Sequence, residues 1–336
     1  MSTGVLTKPP DSQVWLGELG RQELHDGSLK RLIREAGARG IAPDTAHYAR
    51  ALARPGPAYD AHLSILARRA VSVAEATREL LGYDARWAAD LLRPVHESSG
   101  RADGHVCVPL DPALAHDPPA AVAEARGLRD SIGRTNTMIG IPATPQGLRA
   151  ITACLAQGIN VNATLIFSVE RYAEVVDAAF TGLEHARRAG HDLASLSPAA
   201  SFVLGGLDAA VERQLDAGGE GEAVAPGSVA AASARIARRI SAQIHEGHRW
   251  KELACQGARP HRLLWPGSGP EEWHDGGSEA DAWEVLDGLP RLGICYRELT
   301  ATLQEAALAD AARSWQQVHQ AVAAALHTRR THQEAA

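Results

Sequence analysis

Residues 136–168, NTMIGIPATPQGLRAITACLAQGINVNATLIFS, constrain the fold more than any other stretch. They read as strand, helix, strand. Residues 138–141 form a short apolar run stopped by Pro142. Thr144 is suited to cap a helix, and Pro145 to fill its first position, where a missing N–H costs nothing. Leu148, Ile151 and Leu155 follow at helical spacing, and Gly158 suits a left-handed stop. Residues 159–167 then alternate, with Asn160, Asn162 and Thr164 on one face and Val161, Ala163 and Leu165 on the other. A strand with one polar side usually turns it to solvent. In a parallel β/α barrel that side can instead face the axis and line a site.

The rest of the chain can be fitted around this unit. Further strands are expected within 13–19, 104–112, 261–269 and 291–299, and around Ser201. Helices are expected over 28–36, 60–92, 169–188 and 229–254, with a long terminal helix over 300–330 packing on the barrel. A chain of 336 residues with 45% apolar content can bury a large core, and one (β/α)8 barrel accounts for residues 1–336 as a single domain. The net charge of −6 comes without a Lys/Arg block, which argues against nucleic acid and anionic membrane as partners. No apolar run reaches bilayer length, and residues 1–11 lack a signal-peptide core. Cys107, Cys154, Cys255 and Cys295 are scattered without a C-x-x-C pair, so a reducing cytoplasm is the default expectation. The fifteen histidines show no metal-ligand spacing, and neither metal nor cofactor is expected. A small-molecule substrate fits such a chain, and a homodimer stays open.

The central segment closely resembles the transaldolases, Schiff-base enzymes of sugar-phosphate chemistry with a TIM-type (β/α)8 barrel of the class I aldolase kind. Their pattern runs roughly M-I-K-[IV]-P-A-T-x-x-G, then G-I-x-V-N-x-T-L-[IL]-F-S. This chain keeps Pro142, Ala143, Thr144, Gly147, Gly158, Ile159, Asn162, Thr164, Phe167 and Ser168. The resemblance extends to V-W-L at 14–16, as in the long actinobacterial type, to D-P at 111–112, and to Ser201, Phe202 and Asp208. After about residue 215 it is looser, with Leu264, Trp265 and Ser268 as matches.

The departures fall on the family's functional positions. Aligned on these motifs, Gly140 stands where the Schiff-base lysine belongs and Gly17 where a proton-transfer aspartate does. Asp44 replaces a substrate-binding asparagine, Pro109 the glutamate that positions water, and Gly206 the arginine that grips phosphate. Lysine occurs only at 8, 30 and 251, none on an expected strand. The resemblance therefore implies the fold while arguing against ordinary transaldolase activity, which needs an amine for the imine and carboxylates for proton relay. Long charged side chains exchanged for glycine imply a roomier, less charged pocket, expected to be lined by Trp15, Gly17, Pro109, Asp111, Gly140, Phe167, Gly206, Trp265 and Ser268.

Three readings follow. The first is a repurposed enzyme of specialised metabolism acting on a larger, less anionic carbonyl or polyol compound. It would have Asp44 as acid/base and Asn162, Thr164 and Ser201 as hydrogen-bonding groups. The second is an inactive homologue that binds a metabolite or partner enzyme, and the third is residual sugar-phosphate chemistry. Blander roles compete at each residue: Asp111 with Pro112 reads first as a turn, Asp44 as a cap, and Trp15 and Trp265 as core. On an expected last strand, Cys295 with Arg297, or Tyr296 with Glu298, could share the lumen. A proline in strand 104–112 is expected to distort it.

Overall fold

Seven short strands form one parallel sheet in chain order. They are seen in a computed structural model that describes residues 14–17, 19–43, 45–53, 57–218, 225, 227–266 and 278–334. The strands are β1 (Val14–Leu16), β2 (Ala38–Ile41), β3 (His105–Pro109), β4 (Thr137–Pro142), β5 (Val161–Ile166), β6 (Ala199–Phe202) and β7 (Arg262–Leu264). The helices before β4 are α1 (Arg21–His25), α2 (Ser28–Glu35), α3 (Thr45–Ala53), α4 (Pro57–Arg68), α5 (Val73–Ser98) and α6 (Pro118–Ile132). Those after it are α7 (Pro145–Ala156), α8 (Val169–Arg188), α9 (Leu207–Gly218), α10 (Ser228–Ile244), α11 (His248–Cys255), α12 (Glu279–Gly288) and α13 (Tyr296–Glu334). The sequence of strands and crossover helices is that of a TIM-type barrel, nearly closed. The edges β7 and β1 approach through side chains: Trp15 packs against the small cluster of Met138, Ala199 and Leu264, and the Arg262 guanidinium lies 5.8 Å from the Trp15 ring.

The central unit forms as its sequence requires. Thr144 caps α7, its Oγ1 accepting from Gly147 N at 2.9 Å. That hydroxyl also donates to the Ala115 carbonyl at 2.6 Å, which ties the α7 start to the loop that follows β3. Gly147 is dictated by closeness, because a Cβ there would sit 1.9 Å from the Pro142 carbonyl oxygen. Val161 and Ala163 enter the main apolar core between barrel and helices, so Asn162 points the other way, into the lumen.

Several expectations are corrected. Residues 291–299 form no strand. Residues Leu289–Leu292 are a 3-10 turn, ended by Gly293 in the left-handed region (φ 75°), and α13 starts at Tyr296. A five-residue apolar run does not by itself separate strand from helix. The helical spacing of buried Trp315, Val318, Val322 and Leu326 is the stronger signal. With no strand here, the lumen pairings drawn for Cys295, Tyr296, Arg297 and Glu298 fall away: Cys295 is exposed, and the Tyr296 hydroxyl meets Ser233 Oγ at 2.9 Å. The helix expected over 229–254 is two helices, divided before Gly247.

Pro109 does not distort β3, which pairs with β4 in unbroken register through Pro109 and Gly140. The N–H groups of Val106 and Leu110 point to β4, donating to Asn136 and Gly140. The nitrogen of residue 109 therefore faces β2, whose pairing with β3 has already ended at Ile41 and Val106. No ladder bond is lost. The alternation expected through residue 167 does break, however. Leu165 has φ 57°, and the register between β5 and β6 shifts between Ala163 and Ile166.

Candidate active site

Lumen-facing residues follow from the register. Gly140 is paired with Pro109 on one side and Asn162 on the other, and Asn162 with Ala199. Two of the proposed polar groups meet directly. Ser201 Oγ lies 3.0 Å from Asn162 Nδ2, accepting its proton, and 3.1 Å from Asn162 Oδ1, to which it donates. Asn162 Nδ2 also donates to Cys107 Sγ at 3.5 Å. All three side chains are buried. The sequence reading does not single out Cys107, although it lies two residues before Pro109 and so on the same strand face.

Cys107 bears directly on Gly140. A Cβ at Gly140 would approach Cys107 Sγ to 3.1 Å, so the thiol already occupies the edge of the space that glycine leaves. Burial pushes the Cys107 thiol up to about 12, partly offset by the Asn162 bond, and it stays protonated at neutral pH. Cys107, Pro109, Gly140, Asn162, Thr164 and Ser201 thus form a stretch of lumen without a formal charge. Thr164 shares the Asn162 face by alternation, and its carbonyl accepts from Ala143 N at 2.8 Å.

The remaining candidates disperse. Asp44 and Ser268 lie outside the described residues. Trp15 lies on Gly40, where a Cβ would come within 2.7 Å of the indole, and it packs in the lumen beside Met138 and Ala199, two residues before the Gly140 and Ser201 level. It is core rather than a wall at the mouth. Trp265 packs on Phe202, with ring centroids 5.8 Å apart, and the Arg238 guanidinium lies 5.5 Å from its ring. Phe202 belongs to the core outside the barrel, so Trp265 does not flank Ser201. Asp111 does act as a turn residue, accepting from Ala113 N at 2.9 Å. Gly17 is exposed just past β1. Gly206 lies in the turn before α9 with φ 86°, a conformation that an arginine would hold only under strain.

Phe167 is buried beneath the start of α13, its carbonyl 3.5 Å from the Tyr296 hydroxyl. About two turns further along, Gln304 Nε2 donates to the carbonyls of Leu165 at 2.7 Å and Ala143 at 3.1 Å. The long helix is thereby pinned across the C-terminal ends of β4 and β5, and the left-handed Leu165 is held from above. Sequence gives no signal for Gln304, which lies 139 residues from Leu165. Lys30 lies on α2 and Lys251 on α11, and both are exposed. Among the described residues no group of three His, Cys, Asp or Glu side chains could hold a metal ion, and no helix is long and apolar enough to cross a membrane.

Fold and site together define a TIM-barrel protein with polar side chains meeting on the barrel axis. The sequence matches the transaldolase/fructose-6-phosphate aldolase family over residues 24–255, and the chain belongs to that family. It is 47% identical over 260 residues to a transaldolase of Thermobifida fusca, covering 77% of this chain and 70% of that one. It is 38% identical to a transaldolase of Acidothermus cellulolyticus over 94% of this chain and 95% of the relative. Transaldolase 1 of Streptomyces coelicolor is 36% identical over 98% and 96% of the two chains.

Proposed function

We propose that this transaldolase-family chain works without a lysine Schiff base. It would act on a carbonyl or polyol compound larger and less anionic than a sugar phosphate, through an aldol-type, dehydrating or cyclising step. The observation that carries the reading is the uncharged lumen around Gly140. The neighbour of Gly140 is a protonated thiol, the groups beside it are an amide and a hydroxyl, and no described lysine lies on a strand. An imine needs a primary amine within bonding reach of the carbonyl. Asn162, Thr164 and Ser201 would orient the ligand, and Asp44 would move the proton. Asp44→Asn should then abolish turnover while sparing binding, and full activity in that variant would remove Asp44 from the scheme.

Borohydride trapping tests the central claim. Treatment with fructose 6-phosphate and borohydride should leave the protein mass unchanged. A stable adduct on any lysine would restore ordinary transaldolase chemistry instead.

A second reading, a homologue that binds a metabolite or partner enzyme without turnover, is favoured by one feature. The Asn162 amide protons are already directed at Ser201 and Cys107, leaving little unspent hydrogen-bonding capacity for a reacting group. Saturable binding of a carbonyl or polyol compound with no product formed would select it.

A further inference from the structure

The end of β5 departs from regular strand geometry, and the departure decides what stands at the mouth of the barrel. β5 pairs with β6 at Asn162 and Ala199 and at Ala163 and Ala200, then again at Ile166 and Phe202. Between those pairs β5 sets two residues, Thr164 and Leu165, against Ser201 alone. That is the count of a β-bulge, and Leu165 takes up the extra residue in the left-handed region, with φ 57°. A bulge of this kind re-aims the side chains that follow it.

The side chain re-aimed here is that of Ile166. Asn162 and Thr164 share the lumen face, so unbroken alternation would send Ile166 inward as well. Instead Ile166 is fully buried in the core outside the barrel, with Val161, Ala163 and Phe202. Thr164 and Leu165, consecutive in the chain, are both only partly buried. The bulge thus makes Thr164 the last inward side chain of β5 and keeps a branched apolar side chain out of the mouth.

A left-handed backbone costs a leucine free energy, so the surroundings must hold it. One hold is the burial of Ile166, together with the bond from Val203 N to the Ile166 carbonyl at 2.7 Å. The other comes from α13, where Gln304 Nε2 donates to the Leu165 and Ala143 carbonyls. Ala143 follows directly on β4, and its own N–H donates to the Thr164 carbonyl. Gln304, Ala143, Thr164 and Leu165 therefore form one hydrogen-bonded set. It joins α13 to the two strands that carry Gly140, Asn162 and Thr164. The extra residue of a bulge is left out of the ladder, and here the glutamine amide supplies the donor to its carbonyl.

We propose that Gln304 is a positioning residue of the barrel mouth: through the Leu165 carbonyl it holds the bulge that keeps Ile166 out of the lumen and Thr164 facing into it. Docking of α13 and an open lumen are then linked, because a β5 that loses its bulge turns Ile166 inward. This role rests on the proposed function only in taking Thr164 to orient the ligand. The conformation of β5 is measured without any ligand.

The test uses the full chain with methyl-labelled isoleucine, leucine and threonine. Gln304→Met keeps the length of the stem and removes both donors. In the wild type the Ile166 methyls should show nuclear Overhauser contacts to the Phe202 ring. In Gln304→Met those contacts should be lost and contacts to the Thr164 methyl gained, with the Leu165 HN–Hα coupling moving to its extended range. Adding Leu165→Gly to Gln304→Met should restore the contacts between Ile166 and Phe202, since glycine takes a positive φ without strain. A general loosening of α13 would not be rescued by that change. If Gln304→Met does not fold, Gln304→Asn, too short to reach both carbonyls, carries the same expectation. The proposal is overturned if Ile166 keeps its Phe202 contacts without Gln304, since core burial alone would then hold the bulge. It is equally overturned if Leu165→Gly fails to restore them. The expected pattern can hold while turnover of a carbonyl or polyol compound is absent, so this role and the proposed function fail separately.

Discussion

Two histidines buried as neutral rings should make this protein acid-labile, by an amount that can be worked out. His105 opens β3 at the N-terminal end of the lumen, and His261 immediately precedes β7. Burial lowers both to about 3 from an ordinary 6.5. His96 lies with its ring 4.8 Å from His105, and Arg101, Arg259 and Arg262 surround that ring pair; His245 faces His261. All disfavour a second positive charge. The unfolded chain takes up each proton first, so the stabilisation is complete above pH 6.5 and is lost as pH falls toward 3. Between pH 7.5 and pH 5 each ring accounts for a loss of about 2 kcal/mol, hence about 4 kcal/mol together. At pH 5 this figure hardly depends on the folded value, provided that value lies below 4.

Asp84 opposes part of this loss. It is buried against Arg21 at 2.6 Å and accepts from the Tyr59 hydroxyl at 3.1 Å, yet burial raises it to about 6. Its folded form therefore protonates first and gains about 1 kcal/mol over the same interval. A net loss of about 3 kcal/mol remains, a large share of the 5–15 kcal/mol by which domains are stable. Urea unfolding at pH 7.5, 6 and 5 measures it. His105→Asn and His261→Asn should each remove about 2 kcal/mol of the pH dependence, whatever they do to absolute stability. Stability that is flat from pH 7.5 to 5, or an NMR titration placing either ring's midpoint above 5, would refute the reasoning.

Two further outcomes are expected. Gly140→Lys alone should leave transaldolase turnover absent, because Gly17 and Pro109 supply no carboxylate for proton relay and the new Cβ must displace Cys107 Sγ; measurable turnover would contradict this. Gln304→Ala should cost about 1–3 kcal/mol by releasing two strand-end carbonyls, and hydrogen exchange should report faster opening along α13 near residue 304, with unchanged protection there as the contrary result.

The sequence by itself determined the central strand–helix–strand unit, because each signal there acts within a few residues. Thr144 caps, Pro145 starts, Gly158 stops, and alternation sends Asn162 inward while Val161 and Ala163 go to the core. Asn162 and Ser201 were each legible as inward-facing polar residues, but not that they bond to each other. The tertiary structure decided which side chains actually touch. Cys107 meets the Gly140 space because of the stagger between β3 and β4, and Trp15 and Trp265 take opposite sides of the barrel wall through packing with distant partners. Residues 291–299 were ambiguous locally, and the structure divides them between the end of a 3-10 turn at Leu292 and the start of α13 at Tyr296. Gln304 carries no local pattern at all. Its role arises where α13 crosses strands more than a hundred residues earlier, and contacts at that separation depend on how the whole chain closes rather than on any periodicity within it.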